Sequence, residues 1–438
     1  MNFSSLRYAL RGLSAYRVLL DELVFDQATT LIYTLSVGQT EQQEGQDPVW
    51  GEEALSAYAR LFQALCDGGF DGIGDWLWDK LRYTETPFAL SAQSDSASPA
   101  LEQAARRDVD ALLALAELDC GAILTAIAAL LPPEQSSMVQ AMPRWTASAP
   151  FDFDRLVRFY REHGAGLYAR YRAFLWEDGQ LVPVADPDCP KPEDLLGYEQ
   201  QRSQVETNTR QMMAGHYANN VLLFGDGGTG KSATVKSMLY LPGMEDLRLI
   251  EIQKENLTGL PQLMRSLGDK RQKFILFIDD LAFDQDDKTY SSMKTILEGS
   301  LEKRPANVVI YATSNRRHLV RQNFSDRGND EVDAAETIAE KTALAERFGL
   351  RIPYLSMSKA DFLALVDYLA GQNGLTLPAQ ELHARAMTWE IRHSGRTPRV
   401  ARQFIASLLG EGVFDRKISS RRIRYTPAGR YFCLFYSS

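Results

Sequence analysis

Apolar positions recur at helical spacing through residues 1 to about 190 and then change to short, near-continuous β-rich runs separated by helical stretches. The first pattern predicts helices at 4–33, 53–66, 100–118 and 151–175. In the last, Leu156, Phe159, Tyr160, His163 and Tyr168 recur among Arg and Glu, as on an amphipathic helix. Polar joints are expected at SVGQTEQQEGQDP from Ser36 and at SAQSDSASPA from Ser91. The Pro-rich stretch VPVADPDCPKPED, 182–194, reads as an interdomain linker.

Beyond it, NVLLF at 220–224, LRLIEI at 247–252, FILFID at 274–279, NVVIYATS at 307–314 and LRIPYL at 350–355 are apolar enough for a parallel sheet covered on both faces. The intervening segments can hold crossover helices, which makes a doubly wound α/β domain. The expected organisation is a mainly α-helical N-terminal domain over 1–181, the linker over 182–194, an α/β core over 195–357, a helical lid over 358–410 and a tail over 411–438. The tail is read as a β-hairpin turning at Pro427, Ala428 and Gly429.

Composition narrows the class. With 438 residues, two domains are expected, and 45% hydrophobic with 24% charged residues fits an ordinary globular protein. A net charge of -9 argues against a surface generally coated with nucleic acid, because phosphates need clustered cations. Local clusters remain at Arg316, Arg317 and Arg321 and at Lys417, Arg421, Arg422 and Arg424, read here as solvated faces. The aromatic residues Tyr425, Tyr431 and Phe432 near the second cluster keep nucleic acid in view as a less favoured partner. The acidic stretch 325–341 reads as a solvated loop. Four scattered cysteines, no apolar leader and no apolar run of ~20 residues lead to the expectation of a cytoplasmic protein without a membrane segment. The five histidines show no metal-ligand spacing.

The strongest chemical signal is GDGGTGKS: Gly225, Asp226, Gly227, Gly228, Thr229, Gly230, Lys231 and Ser232 match G-x-x-x-x-G-K-[ST], and Ala233 follows. Set between a strand and a helix, such a loop turns successive backbone N–H groups toward a phosphate, and the helix N-terminus adds partial positive charge. Lys231 then reaches the β- and γ-phosphates of ATP, and Ser232 ligates Mg2+. In FILFIDDL, Asp279 ends an apolar strand and suits a role in holding Mg2+ through water, while Asp280 suits the polarising of an attacking water.

Asn315 ends the next strand, where a polar group can orient that water, with Thr313 and Ser314 as alternatives. Arg347, in AERFGLRI, offers a planar, permanently charged group suited to a transferring phosphoryl. In GRTPRVARQF, Thr397 is the expected N-cap and Pro398 the first-turn proline of a lid helix from which Arg399 projects, with Arg396 and Arg402 competing for the same role.

The order of these motifs resembles the AAA+ superfamily. More narrowly, strings such as DLLGYEQQRSQVETNT, NNVLLFGDGGTGKS, RLIEIQKENLTGLPQL, KFILFIDDLAFDQDDKTYSSMKTILEG and GRTPRVARQF resemble an uncharacterised bacterial AAA+ ATPase family over about residues 192–410. The resemblance implies a sheet order of 5-1-4-3-2, an adenine pocket drawing on Leu196, Gly197 and Tyr198, and a homo-oligomer in which Arg347 acts on the neighbour's nucleotide. It also implies an ATPase that remodels a protein partner gripped by the N-terminal half. Asp280 departs from the Glu of most AAA+ motors and is one methylene shorter, which puts efficient turnover in question. A slow ATP-gated switch and a helicase-loader-like accessory ATPase are the alternative readings.

Overall fold

The computed structural model describes residues 3–44, 50–148, 151–282, 293, 294, 297, 303–315, 344–393 and 395–411, and the chain divides into two compact units, 1–172 and 173–438. The clusters around Arg316 and Lys417, the acidic stretch 325–341 and the expected tail hairpin lie outside the described residues.

The first unit is all helical where described. Its longer helices are α1 (Phe3–Arg11), α2 (Leu23–Gln43), α3 (Gly51–Asp67), α4 (Ile73–Tyr83), α5 (Pro99–Ala116) and α6 (Phe153–His163). The helix expected over 4–33 is interrupted, because the N–H groups of Ser14, Ala15 and Tyr16 turn away to the buried Asp108 carboxylate at 2.7, 2.7 and 3.1 Å. The expected joint at Ser36 is instead the last two turns of α2. Leu35, Ser36 and Gly38 are buried there, and tertiary packing outweighs the weak helix propensity of the polar run. The helix expected over 151–175 stops at Gly164, whose φ of 80° ends α6.

Beyond that point the boundary expected at 181 is displaced. β1 (Ala173–Glu177) and β2 (Gln180–Val184) form an antiparallel hairpin, and β1 pairs in parallel with β4 (Leu247–Ile252). The reading of 1–181 as mainly helical overlooked Asp178-Gly179, whose φ values of 49° and 78° make a tight turn of the kind whose twist matches paired strands. The second unit therefore starts earlier than the motif-bearing segment.

The strands that follow sit within a residue of their expected positions: β3 (Val221–Gly225), β4, β5 (Lys273–Ile278), β6 (Val308–Ser314) and β7 (Leu350–Tyr354). Near-complete burial of β3 to β6 explains their continuous apolar runs, while β7, at the end of the sheet, leaves Arg351 and Pro353 exposed. The seven strands are ordered β2-β1-β4-β5-β6-β3-β7, and all pairs but the hairpin are parallel. Counted from the P-loop strand, the five later strands read fifth, first, fourth, third, second. The helices described in this unit include α7 (Glu199–Met213), α8 (Lys231–Ser237), α9 (Leu260–Leu267) and, packed as a separate apolar cluster, α10 (Lys359–Gln372), α11 (Ala379–Arg392) and α12 (Pro398–Gly410). Among the described residues no single helix is long and apolar enough to cross a membrane.

Candidate functional site

Reversal of strand order places β6 between β3 and β5, so three strand ends converge where ligands bind in open parallel sheets. From β3 the chain enters the Gly-rich loop and then α8. Gly225 has φ of 130°, and a Cβ there would lie 2.3 Å from the Tyr354 carbonyl oxygen, so no other residue fits. Asp226 anchors the loop to the chain after β7: its carboxylate accepts from the Ser356 N–H and hydroxyl, both at 2.7 Å. At Gly228, φ is 75° and a Cβ would meet the Cβ of Arg399 at 3.0 Å, which lets the N-terminus of α12 rest on the loop. Arg399 N–H donates to the Gly228 carbonyl at 3.3 Å. Thr397 caps that helix by accepting from Val400 N–H, and Pro398 occupies its first turn, as the sequence indicated.

A cleft of about 490 Å³ opens above the loop, lined by Leu196, Gly197, Tyr198, residues 227–233, Asp279, Asp280, Asn315 and Arg399 among others. Gly225 and Asp226 shape it from beneath by presenting their carbonyls to Lys231 at 3.1 and 2.7 Å. Lys231 Nζ also donates to Asn315 Oδ1 at 2.8 Å, so its three protons are matched by three acceptors. Burial lowers the Lys231 pKa, opposed by the nearby carboxylates of Asp226, Asp280 and Asp279.

Asn315 turns its other end to Asp280, Nδ2 donating to Oδ1 at 2.9 Å. Asp280 holds φ of 51°, a left-handed conformation that Asp tolerates better than most residues. Its N–H donates to Thr313 Oγ1 at 2.9 Å, and Thr313 in turn donates its hydroxyl proton to Asp279 Oδ1. The same Asp279 oxygen accepts from Ser232 Oγ at 2.6 Å. Thr313 thus holds the Asp279 carboxylate and the backbone of Asp280, whereas the sequence had offered it as a substitute for Asn315 in orienting the water.

At the far end of the cleft, Tyr198 stacks on Tyr354 with centroids 5.0 Å apart and donates to the Leu355 carbonyl at 2.6 Å. Burial pushes the Tyr198 phenol up to about 12, aided by Asp226, and burial likewise raises Tyr354 to about 12, so both remain neutral donors near neutral pH. Arg202, Tyr354 and Gln403 also line the cleft. None carries a sequence signal, since each reaches the site only through packing of its element.

The structure also separates the three lid arginines. Arg396 Nε is committed to the Met357 carbonyl at 2.9 Å, and Arg402 donates to the Asp194 carbonyl. Arg399 and Arg402 both line the cleft, and among the described residues the Arg399 guanidinium has no hydrogen-bond or ion-pair partner. Arg347 is not brought to this cleft. It precedes β7, whose Leu350 lies opposite Val221 and whose Tyr354 lies opposite Gly225, so strand direction puts Arg347 at the end remote from the P-loop of its own chain. It is exposed there.

A P-loop between strand and helix, an acidic strand end, a polar end on the strand between them and a helical bundle resting on the loop define an AAA+ type P-loop fold. The family model described as "Protein of unknown function (DUF815)" matches residues 169–412, and the chain belongs to that family. No curated protein matches the chain. Solved structures that align include the Thermotoga maritima RuvB Holliday junction branch migration motor, at 15% identity over 52% of this chain and 67% of that one, with a TM-score of 0.35. A proline-to-glycine mutant of that RuvB aligns at 15% identity over 52% and 69%, with a TM-score of 0.36.

Proposed function

We propose that this chain binds ATP in the 490 Å³ cleft and hydrolyses it slowly as a homo-oligomeric AAA+ ATPase that remodels or regulates a protein partner. The bridge Lys231–Asn315–Asp280 beside the Ser232–Asp279 pair carries the reading. One cation, one amide and two carboxylates converge where the P-loop presents its N–H groups, and this combination suits a triphosphate and its attacking water better than any other substrate class.

In this reading, Lys231 exchanges the Asn315 oxygen for a phosphate oxygen, which frees that end of Asn315 to accept from water. Asp280, still positioned by the Thr313 hydroxyl, takes the proton of that water as it attacks. Ser232 and Asp279 supply hard oxygen donors in contact with each other and fit Mg2+. When bound, the cation would spread the charge of the phosphates. Leu196, Gly197 and Tyr198 wall the adenine end. Arg399 reads the γ-phosphate from the lid, and its backbone bond to Gly228 gives the lid a direct link to the loop. Arg347, remote from its own cleft, acts on the nucleotide of a neighbouring copy, and the N-terminal helical unit holds the partner.

A second reading, an ATP-gated switch with little turnover, is favoured by the left-handed Asp280 and by the amide that occupies its carboxylate. Turnover per chain measured across a wide protein concentration range, with Arg347→Ala alongside, separates the two. Specific activity that rises with concentration and vanishes in the variant supports the oligomeric ATPase. Retained ATP with background turnover at every concentration supports the switch, and failure of the chain to bind ATP overturns both.

A further inference from the structure

The helical unit holds a cavity of about 380 Å³, lined from α1, from the short turn of helix Arg17–Asp21 and from α2. Arg7 and Arg11, one turn apart on α1, both line it, and among the described residues neither guanidinium has a hydrogen-bond or ion-pair partner. Arg7 Nε is buried as well, an orphaned donor of a kind that folded proteins rarely leave without an acceptor. What holds the two cations is the ring of Tyr33 on α2: the guanidinium carbons of Arg7 and Arg11 lie 4.2 and 5.7 Å from its centroid. Stacking of this kind fixes a guanidinium by its face and leaves its N–H edge open. Tyr33 is itself fixed, edge-on to Trp50 at 6.0 Å, and the Trp50 indole donates to Glu41 at 2.9 Å.

The rest of the lining narrows what such a pair can hold. Thr30 adds a hydroxyl that has no hydrogen-bond partner among the described residues, and Leu10, Leu20 and Ile32 add an apolar side. Asp26, itself exposed, contributes one carboxylate, which accepts from Gln27 Nε2 at 3.1 Å. Two guanidiniums against that one carboxylate leave a single positive charge in excess, which suits a monoanion better than a phosphate dianion. The planar fork of a guanidinium and a planar carboxylate then meet edge to edge.

We propose that this cavity binds a carboxylate carried on an apolar body, with Arg7 and Arg11 taking its two oxygens, Thr30 donating to one of them, and Leu10, Leu20 and Ile32 covering the body. A free aliphatic acid and the C-terminal residue of a polypeptide ending in an apolar side chain present the same chemistry, and at about 380 Å³ the cavity lies within the size range of ligand pockets. All of these residues belong to the helical unit, so the site stands whether or not the P-loop cleft holds ATP. A polypeptide terminus bound here gives that unit a grip on the partner proposed above, and only this link rests on the functional reading.

Binding of isocaproate to the full chain, followed by saturation-transfer NMR and titrated to a dissociation constant, tests the site, with isocaproamide as the uncharged counterpart and isoamyl phosphate as the dianion. The acid is expected to bind and the amide not. Arg11→Gln changes an exposed residue and should weaken the acid roughly tenfold, as loss of a charge-assisted hydrogen bond does, while Arg60→Gln, exposed on α3 and outside the lining, should leave it unchanged. Arg7→Lys keeps the charge but not the fork and should weaken it by a similar factor, with circular dichroism checking that the helices are retained. Equal binding of acid and amide, binding of neither, or an affinity that ignores both Arg11→Gln and Arg7→Lys overturns the proposal, and so does tighter binding of isoamyl phosphate than of the acid. A hexapeptide ending in leucine separates the two sources. Tighter binding than isocaproate, lost when the terminus is amidated, assigns the cavity to polypeptide ends, and binding no tighter assigns it to free acids. The titrations contain no nucleotide, so failure of this site and failure of the ATP reading are distinguishable.

Discussion

Each unit contains a hydrogen-bonded cluster of polar groups, buried in the helical unit and cleft-lining in the P-loop unit, and the two are built in opposite ways. In the helical unit, Asp108 is 1% exposed and accepts three backbone N–H groups, while Tyr16 and Tyr160 pair their hydroxyls at 3.2 Å and Tyr160 donates to the Leu81 carbonyl. Burial raises the pKa of both phenols, which keeps them as neutral hydrogen-bonding groups. Most of these bonds have backbone partners, the Tyr16–Tyr160 pair excepted. In the P-loop unit, Lys231, Asn315, Asp280, Ser232 and Asp279 satisfy one another along the wall of a cleft. Side chain to side chain bonds of that kind can be exchanged for a ligand's oxygens without unfolding anything. On the proposed reading, the difference separates polar groups that hold the fold from those that serve the cleft.

The comparison can be broken at either side. Asp108→Ala leaves three backbone donors, that of Tyr16 fully buried, without their acceptor and should lower the unfolding free energy by roughly 2 kcal/mol, read by denaturant titration, with ATP affinity unchanged. Lys231→Ala should weaken ATP binding by roughly 100-fold in a fluorescent-nucleotide titration while moving thermal unfolding little. If the variant keeps wild-type affinity, the P-loop reading is wrong.

Smaller effects sharpen the contrast. Asn315→Ala should slow turnover by roughly 10-fold, as loss of a positioning group in general acid–base chemistry does, with ATP affinity changed only a few-fold. An equal loss in affinity would make Asn315 a binding group instead. The last effect is a pH dependence. Burial lowers the Lys231 pKa, so ATP affinity should decline as pH rises through that lowered value, earlier than the 10.5 of an ordinary lysine. Stability moves the other way, since the unfolded chain holds a proton that the folded chain has released, and unfolding free energy rises with pH across the same window. Lys231→Met should remove both dependences.

How much was legible in the sequence varied by region for physical reasons. Strands buried on both faces advertise themselves as apolar runs, so β3 to β6 were placed within a residue, as was the partly exposed β7, and the P-loop spacing is dictated by the geometry of phosphate wrapping. The helical unit was less readable, because packing held the polar end of α2 in a helix and a carboxylate far along the chain, Asp108, broke the first one. The hairpin 173–184 was lost beneath a Pro-rich composition that masked its Asp-Gly turn.

By itself the sequence determined the fold class, the P-loop with Lys231 and Ser232, the acidic pair and the cap of the lid helix, since each depends on local spacing and local backbone demands. Only the tertiary structure decided that Thr313 holds the Asp279 carboxylate and the Asp280 backbone, that Asn315 links Lys231 to Asp280, that of the cleft-lining Arg399 and Arg402 only Arg399 lacks a partner among the described residues, and that Arg347 lies away from the cleft. Those assignments turn on strand order and on which element rests against which. Contacts between residues far apart in the chain are set by packing of whole elements, and no local pattern records them.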